Sequence, residues 1–270
     1  MKENSCVVVI PVHSPDPSPY QLISFQQCFK ILGHHPIKIV APQNLVLDQY
    51  KKVVPQFDTI FIHPKWQSSL NRYNKLKKSR FFYRLFNEYD FLLTCELDAF
   101  VFKDELAYWC DKGYDYIGAP WFEGFDIPVS NNLVGVGNSG FSLRRIKPIQ
   151  KILKSMYCRD PMDKDNSIMH LVKLCLKKPV RWLLSQGGEN YIVLEDYNGD
   201  EDRFFSLSVP LVYKDFIVAP VEEATKFSFE LKPEVLFIKN NQQLPMGCHA
   251  WWRYNLPFWK PFIEGFGYKL

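Results

Sequence analysis

The stretch Asp90-Phe91-Leu92-Leu93-Thr94-Cys95-Glu96-Leu97-Asp98-Ala99-Phe100-Val101-Phe102 decides how the chain is read. An apolar run, Phe91 to Cys95, ends in two carboxylates spaced i, i+2, and apolar residues resume after them. Side chains two apart on an extended chain point to the same face, so Glu96 and Asp98 converge in front of a strand end. In open α/β sheets, ligands sit at the carboxyl ends of the strands. Paired carboxylates there make a hard-oxygen site for Mn²⁺ or Mg²⁺, ions that bridge to substrate phosphates. The pair alone has a plainer reading, one acid capping the next helix and the other solvated. Partners elsewhere in the chain tip the balance.

On the N-terminal side the order is β-α-β-α-β. Cys6 to Val12 is β-branched, as a central parallel strand is, and a Pro-rich loop with His13 and Asp16 follows it. Helical spacing runs from Tyr20 to Leu32 and stops at Gly33. Strands over Ile37–Ala41 and Asp58–Ile62 flank a helix over 45–54. This order implies a parallel sheet with helical crossovers. One long helix is expected from Ser68 or Ser69 to about Glu88. It feeds the acid pair, so its bases Lys75 and Arg80 are candidates to face a diphosphate. The bland reading of its charge cluster is a solvated face.

On the C-terminal side Asp104 caps a helix through Cys110, a strand covers Tyr114–Gly118, and a loop opens at Ala119-Pro120-Trp121 and runs to about Asn132. Such a length in a compact domain points to a functional or disordered loop. Gly135, Gly137 and Gly140 match G-x-G-x-x-G, but no helix opens there and Phe141–Arg144 reads as a strand, so dinucleotide binding is rejected. The glycines instead let backbone amides approach a ligand. Helices are expected over 149–156 and 165–177. Asp200, Glu201 and Asp202 stand at a helix start, either complementing its dipole or supplying a general base. A last strand covers Phe216–Ala219, and a helix starts at Pro220. His249 lies in a Gly/Pro-flanked turn, and a lone His is more often structural than a ligand.

The 270 residues fit one domain, here divided into a first half (about 5–118), a second half (about 119–255) and an aromatic tail (256–270). A net charge of +4 gives no indication of nucleic-acid binding. The seven Cys form no C-x-x-C pair, which reads as reduced thiols. The first apolar run is too short, and too soon ended by Pro11, for a signal peptide, and no window approaches a membrane span. A cytoplasmic protein is expected. The 16% aromatic content is high. The Trp/Tyr/Lys/Arg-rich tail packs on the sheet in one reading and touches a membrane surface, peripherally, in the other.

Taken together, Val-Ile-Pro-Val at the first strand, Glu96-Leu-Asp-Ala-Phe-Val-Phe102, Tyr114-Asp-Tyr-Ile-Gly-Ala-Pro-Trp121, Gly137-Asn-Ser-Gly-Phe-Ser-Leu-Arg144, Glu201-Asp-Arg-Phe-Phe205 and Gly247-Cys-His-Ala-Trp251 resemble a family. It is a family of bacterial and fungal glycosyltransferases with a GT-A fold, long known only as a domain of unknown function. The resemblance covers about residues 5 to 255. It implies an α/β fold, GT-A-like (nucleotide-diphospho-sugar transferase), with a mixed, mainly parallel sheet flanked by helices. It implies that Glu96-Leu97-Asp98 stands for the D-x-D motif holding Mn²⁺ or Mg²⁺, with Glu where Asp is usual, and that His249 is a further ligand. Asp202 maps to the catalytic base of inverting members. Donor contacts are then expected from Pro11, Val12, His13, Lys75, Arg80, Glu96, Leu97 and Asp98. Donor-sugar and acceptor contacts are expected from Trp121, Asn138, Ser139, Gly140, Phe141, Glu201 and Trp251. The implied partners are a nucleotide-sugar donor, a UDP-sugar, and a glycan or lipid-linked glycan acceptor. The rivals are a nucleotidyltransferase, disfavoured because the loop from His13 has neither Gly nor a Lys/Arg, and a sugar-binding protein without catalysis.

Overall fold

Val7, Val8 and Val9 are wholly inaccessible to solvent. A strand buried on both faces needs neighbours on both edges and layers above and below, and β1 (Cys6–Pro11) has them. In the computed structural model, which describes residues 4–154, 199–270 and, between them, 176, 183, 189, 190, 193, 194 and 197, β1 lies inside a six-stranded sheet. Its parallel neighbours are β2 (Ile37–Pro42) and β4 (Phe91–Cys95), and β3 (Asp58–Ile62) pairs in parallel beyond β2. On the other side β9 (Phe141–Arg145) runs antiparallel to β4, and β6 (Tyr116–Ile117) runs antiparallel to β9. The order is β3-β2-β1-β4-β9-β6. This is the mixed, mainly parallel α/β sheet the sequence implied.

Two apolar layers cover it. One packs α1 (Pro19–Leu32), through Phe25, Cys28 and Leu32, against Val8, Ile10 and Leu93. The other packs Leu76, Phe82, Tyr83 and Phe86 against Val7, Val9 and Leu92. Alternate residues of β1 serve opposite layers, as the period-2 geometry of a strand requires. The described cysteines, Cys6, Cys28, Cys95, Cys110 and Cys248, are free and buried.

Several boundaries differ from the sequence reading. The long helix expected to run to Glu88 is two helices, α3 (Leu70–Lys77) and α4 (Arg80–Arg84). Ser79 breaks it, because its hydroxyl accepts from Phe82 N and caps α4. The segment opening at Ala119 is a strand: β7 (Ala119–Phe122) pairs antiparallel with β8 (Leu133–Gly137), which shortens the loop between them. The strand expected over 216–219 is a single bridge, Val218 to Tyr116. Helix α6 (Ile146–Lys154) starts earlier than expected, with Pro148 in its first turn, where the missing N–H costs nothing. The remainder of that helix to Met156 and the helix expected over 165–177 fall outside the described residues, apart from residue 176.

A small second sheet positions the chemistry. β5 (Phe100–Val101) pairs antiparallel with β11 (Gly247–Cys248), which pairs in parallel with β10 (Ser228–Phe229). The tail packs beneath it. Its helix, Leu256–Glu264, inserts Trp259 and Ile263 among Phe100, Phe102 and Phe229, and none of the tail's rings is exposed. Of the two readings of the tail, the packing on the sheet is the one these contacts match. Among the described residues no helix is long and apolar enough to cross a membrane.

Candidate active site

Glu96 and Asp98 follow β4 directly and stand at the carboxyl end of the parallel strands. The register of the small sheet brings their partners. Phe100 lies opposite Cys248, and Phe229 lies beside Cys248. Asp98 before β5, His249 after β11 and Glu230 after β10 must then meet. His249 Nε2 is 3.0 Å from Asp98 Oδ1 and 3.9 Å from Glu96 Oε2, and its Nδ1 is 2.8 Å from Glu230 Oε1. Ligand atoms of Glu96, Asp98 and His249 all lie within 4.8 Å of one another.

The residues present fit a divalent cation. His249 Nε2 is buried and faces Asp98 Oδ1 at 3.0 Å without making a well-aligned hydrogen bond to it. Glu230 accepts from Nδ1, which sets the tautomer that leaves Nε2 as a ligand. Burial raises Asp98, yet His249 and then Arg253 outweigh it and hold the carboxyl well below the usual range. Burial likewise raises Glu96, but Lys77 and His249 bring it below its ordinary value. Two ionised carboxylates beside one imidazole suit Mn²⁺ or Mg²⁺. Burial favours a neutral His249, but Asp98 and Glu230 carry it well above its ordinary value. Cation binding would therefore release a proton.

Glu96 is held by Tyr73 O–H at 2.8 Å and Lys77 Nζ at 3.0 Å. Lys77 also donates to Ser139 Oγ and lies 3.7 Å from Glu201 Oε2. Glu201 accepts from Ser139 Oγ at 2.6 Å and pairs with the buried Arg144 at 2.6 Å. Asp202, the next residue, accepts from Asn138 N at 3.0 Å and Arg203 N at 2.8 Å. Burial and the Glu201 charge push its carboxyl up to about 7. Asn138 has a left-handed backbone (φ 79°), and its Oδ1 accepts from Gly140 N and Phe141 N. This tight turn aims both Ser139 and Asn138 N at the Glu201–Asp202 helix start.

The turn is closed against His249. A Cβ at Gly140 would lie 2.1 Å from His249 Nε2, while Gly140 O accepts from Glu96 N at 2.7 Å. A methyl group at this position therefore fits only if His249 or the turn moves. Gly140→Ala is expected to displace His249 and lower Mn²⁺ affinity while the protein still melts cooperatively. Isothermal titration beside a thermal melt checks this; unchanged Mn²⁺ affinity refutes it.

A cavity of about 530 Å³ opens in front of the acids, lined by Pro11, His13, Gln67, Tyr73, Leu97 and Arg253, among others. Of the expected donor residues, Pro11, His13, Glu96, Leu97 and Asp98 line it. Val12 does not, because its side chain is wholly buried. Lys75 and Arg80 do not line it either. The base of that segment which reaches the acids is Lys77, and Arg80 N starts α4, donating to Glu189. Arg253, absent from the sequence-based set, pairs with Asp98 and is half-exposed at the cavity. Three of the expected sugar contacts are wholly buried and do not line the cavity. Trp251 is fully buried and donates to Ser24 Oγ, Phe141 packs on Phe227, and Glu201 is locked to Arg144. Trp121 is nearly buried and packs across Gly137, one residue before Asn138.

Residues 56–249 match the family described as "Protein of unknown function (DUF5672)". Comparison with curated protein sequences gives no match. Among solved structures the chain is similar to mouse xyloside xylosyltransferase 1 in its apo form, at 12% identity, covering 91% of this chain and 97% of that one with a TM-score of 0.47. It is similar to the Q189E active-site mutant of LgtC at 12% identity, covering 90% and 86%, with a TM-score of 0.48. It is also similar to the glycosyltransferase GlyE of Streptococcus pneumoniae TIGR4 at 12% identity, covering 97% and 63%, with a TM-score of 0.46.

Proposed function

The chain belongs to the DUF5672 family, and from the site it carries we propose a metal-dependent glycosyltransferase that moves a sugar from a nucleotide-sugar donor, a UDP-sugar, to a glycan or lipid-linked glycan acceptor with inversion. The observation that carries this reading is the convergence of Glu96, Asp98 and His249 at the carboxyl end of the parallel strands, where Glu96 and Asp98 line a cavity sized for a small ligand.

Glu96, Asp98 and His249 would hold Mn²⁺ or Mg²⁺, which supplies neutralisation of the leaving diphosphate. Arg253 stands beside Asp98 and offers a second positive group to the same phosphates. Pro11, His13 and Tyr73 line the same cavity and would face the nucleoside of the donor. Asp202 is the base. A carboxyl held at about 7 is partly ionised at neutral pH and basic enough to take the proton of an acceptor hydroxyl. Asn138 N and Arg203 N fix both its oxygens, so its orientation is set before substrate arrives.

A panel of nucleotide sugars with Mn²⁺ and glycan acceptors, scored by release of free nucleoside diphosphate, tests the reading. Release of diphosphate with a glycosylated product supports it. Release of pyrophosphate from a nucleoside triphosphate and a sugar phosphate would show a nucleotidyltransferase, and binding without turnover across the panel would show a sugar-binding protein. In the same assay Asp98→Asn is expected to lower Mn²⁺ affinity by more than the ~10–100-fold that loss of an outer-shell partner costs, and to remove turnover at limiting Mn²⁺. Wild-type Mn²⁺ dependence in that variant would rule Asp98 out as a ligand.

A further inference from the structure

A second cluster of metal-ligating side chains lies away from the cavity. His34 Nε2 and His35 Nε2 both point at one oxygen, Asp104 Oδ2, at 2.7 and 3.0 Å. Their rings stand 4.2 Å apart. The two histidines stand one residue, Pro36, before β2, at the amino-terminal end of the strands, whereas Glu96 and Asp98 follow the carboxyl end of β4. We propose that His34, His35 and Asp104 form a binding site for a zinc-class divalent cation, distinct from the candidate active site.

Adjacent residues on a helix or a strand point in different directions, so two neighbouring imidazoles rarely share a target. Here the turn between α1 and β2 makes them converge. Gly33 ends α1, and a Cβ there would lie 2.3 Å from Phe29 O, so the position accepts only glycine without rearrangement. His35 N then donates to Leu32 O at 2.9 Å and tightens the turn. The carboxylate is fixed independently: Asp104 Oδ1 accepts from Leu106 N at 3.0 Å, which leaves Oδ2 for the imidazoles. An outer hydrogen bond that orients a ligand in this way is what protein metal centres have.

The distances suit the ion. With bonds of about 2.0–2.1 Å, neighbouring ligands of a tetrahedral zinc stand about 3.3 Å apart, so the two nitrogen–oxygen contacts need to open by about 0.3–0.6 Å. All three ligand atoms already lie within 4.8 Å of one another. Two imidazole nitrogens and one carboxylate favour zinc-like ions. The acid-rich set at Glu96 and Asp98 favours manganese or magnesium, so the two sites differ in kind. His34 is two-thirds exposed, which leaves an entry path and an open fourth position. A cation held there ties the α1–β2 turn to the segment before α5 (Leu106–Asp111), across 69 residues of chain.

Metal-stripped protein titrated with Zn²⁺ by calorimetry, with parallel melts and a Co²⁺ absorption spectrum, tests the site. His34→Ala removes a mostly exposed ligand, and Asp104→Asn keeps an oxygen for the Leu106 amide, so both variants should fold. Each is expected to lose one equivalent of Zn²⁺, the Zn²⁺-dependent rise in Tm and the tetrahedral Co²⁺ bands, relative to wild type. His249→Ala is expected to keep all three signals of this site whether or not the transferase reading holds. Wild-type stoichiometry and affinity in either His34→Ala or Asp104→Asn would overturn the proposal, as would a Zn²⁺ signal that disappears only in His249→Ala.

Discussion

Asp202→Asn is expected to lower transfer from a nucleotide sugar by about 10²–10⁴-fold, the usual worth of a general base, while donor Kd and Mn²⁺ affinity stay at wild-type values. The side chain is held by Asn138 N and Arg203 N and has no hydrogen bond to Glu96, Asp98 or His249. Wild-type kcat/KM should rise with pH through about 7, where burial and Glu201 place the carboxyl, and level off above it. The variant should lose that limb. The same group links pH to stability with the opposite sign from an ordinary salt-bridged acid. Its folded pKa lies above the unfolded value of about 3.9, so between those values the native state binds more protons than the unfolded chain. Stability from this group therefore falls as pH rises from about 4 to about 7. Melts of wild type and Asp202→Asn between pH 5 and pH 8.5 should show the difference in Tm moving in the variant's favour with pH. A variant with full turnover removes Asp202 from the reaction, and a pH-independent Tm difference removes the perturbed carboxyl.

What could be read before the structure follows how local each signal is. The Val7–Val9 run and the i, i+2 spacing of Glu96 and Asp98 are properties of a few consecutive residues, and both ended where strand geometry predicts. His249 was one histidine in a turn, and only its family context singled it out. Glu230, which sets its tautomer, carried no signal, because its place beside His249 comes from the pairing of β10 with β11. Lys77 sat in a basic run indistinguishable from a solvated face. Its burial depends on Glu96, Ser139 and Glu201, up to 124 residues away, and on the Tyr73 ring one turn before it. Ser79 did carry a readable signal, a capping residue three before Phe82 inside an apolar pattern, and the apolar spacing on both sides masked it. Aromatic residues near glycines, such as Phe141 and Trp251, look alike whether they line a cleft or fill a core. Packing, not sequence, assigned them to the core.

Arg144→Met is expected to cost about 3–5 kcal/mol of folding stability, the penalty for leaving a buried charge without its partner. Arg144 is wholly buried on β9 and donates to Tyr83 O–H, Ser142 Oγ and Ser139 O besides pairing with Glu201. Most of that loss should come from the stranded Glu201 carboxylate rather than from the missing contacts. The double variant Arg144→Met with Glu201→Leu should therefore recover part of the single variant's loss, and denaturant unfolding of the four corners of that cycle gives the coupling directly. Simple additivity would mean the pair does not act as a unit. The pair also bears on the site through Lys77, which Glu96 and Glu201 share. Without Arg144, Lys77 is the cation nearest to Glu201, and its shift toward Glu201 would leave Glu96 with less positive charge beside it. The Glu96 carboxyl would then rise toward its ordinary value, and Mn²⁺ affinity should change in the single variant by more than its fold stability alone accounts for. If Mn²⁺ binds the folded fraction of Arg144→Met with wild-type affinity, the buried network supports the sheet only, and Glu96 is set by Tyr73 and Lys77 without help from β9.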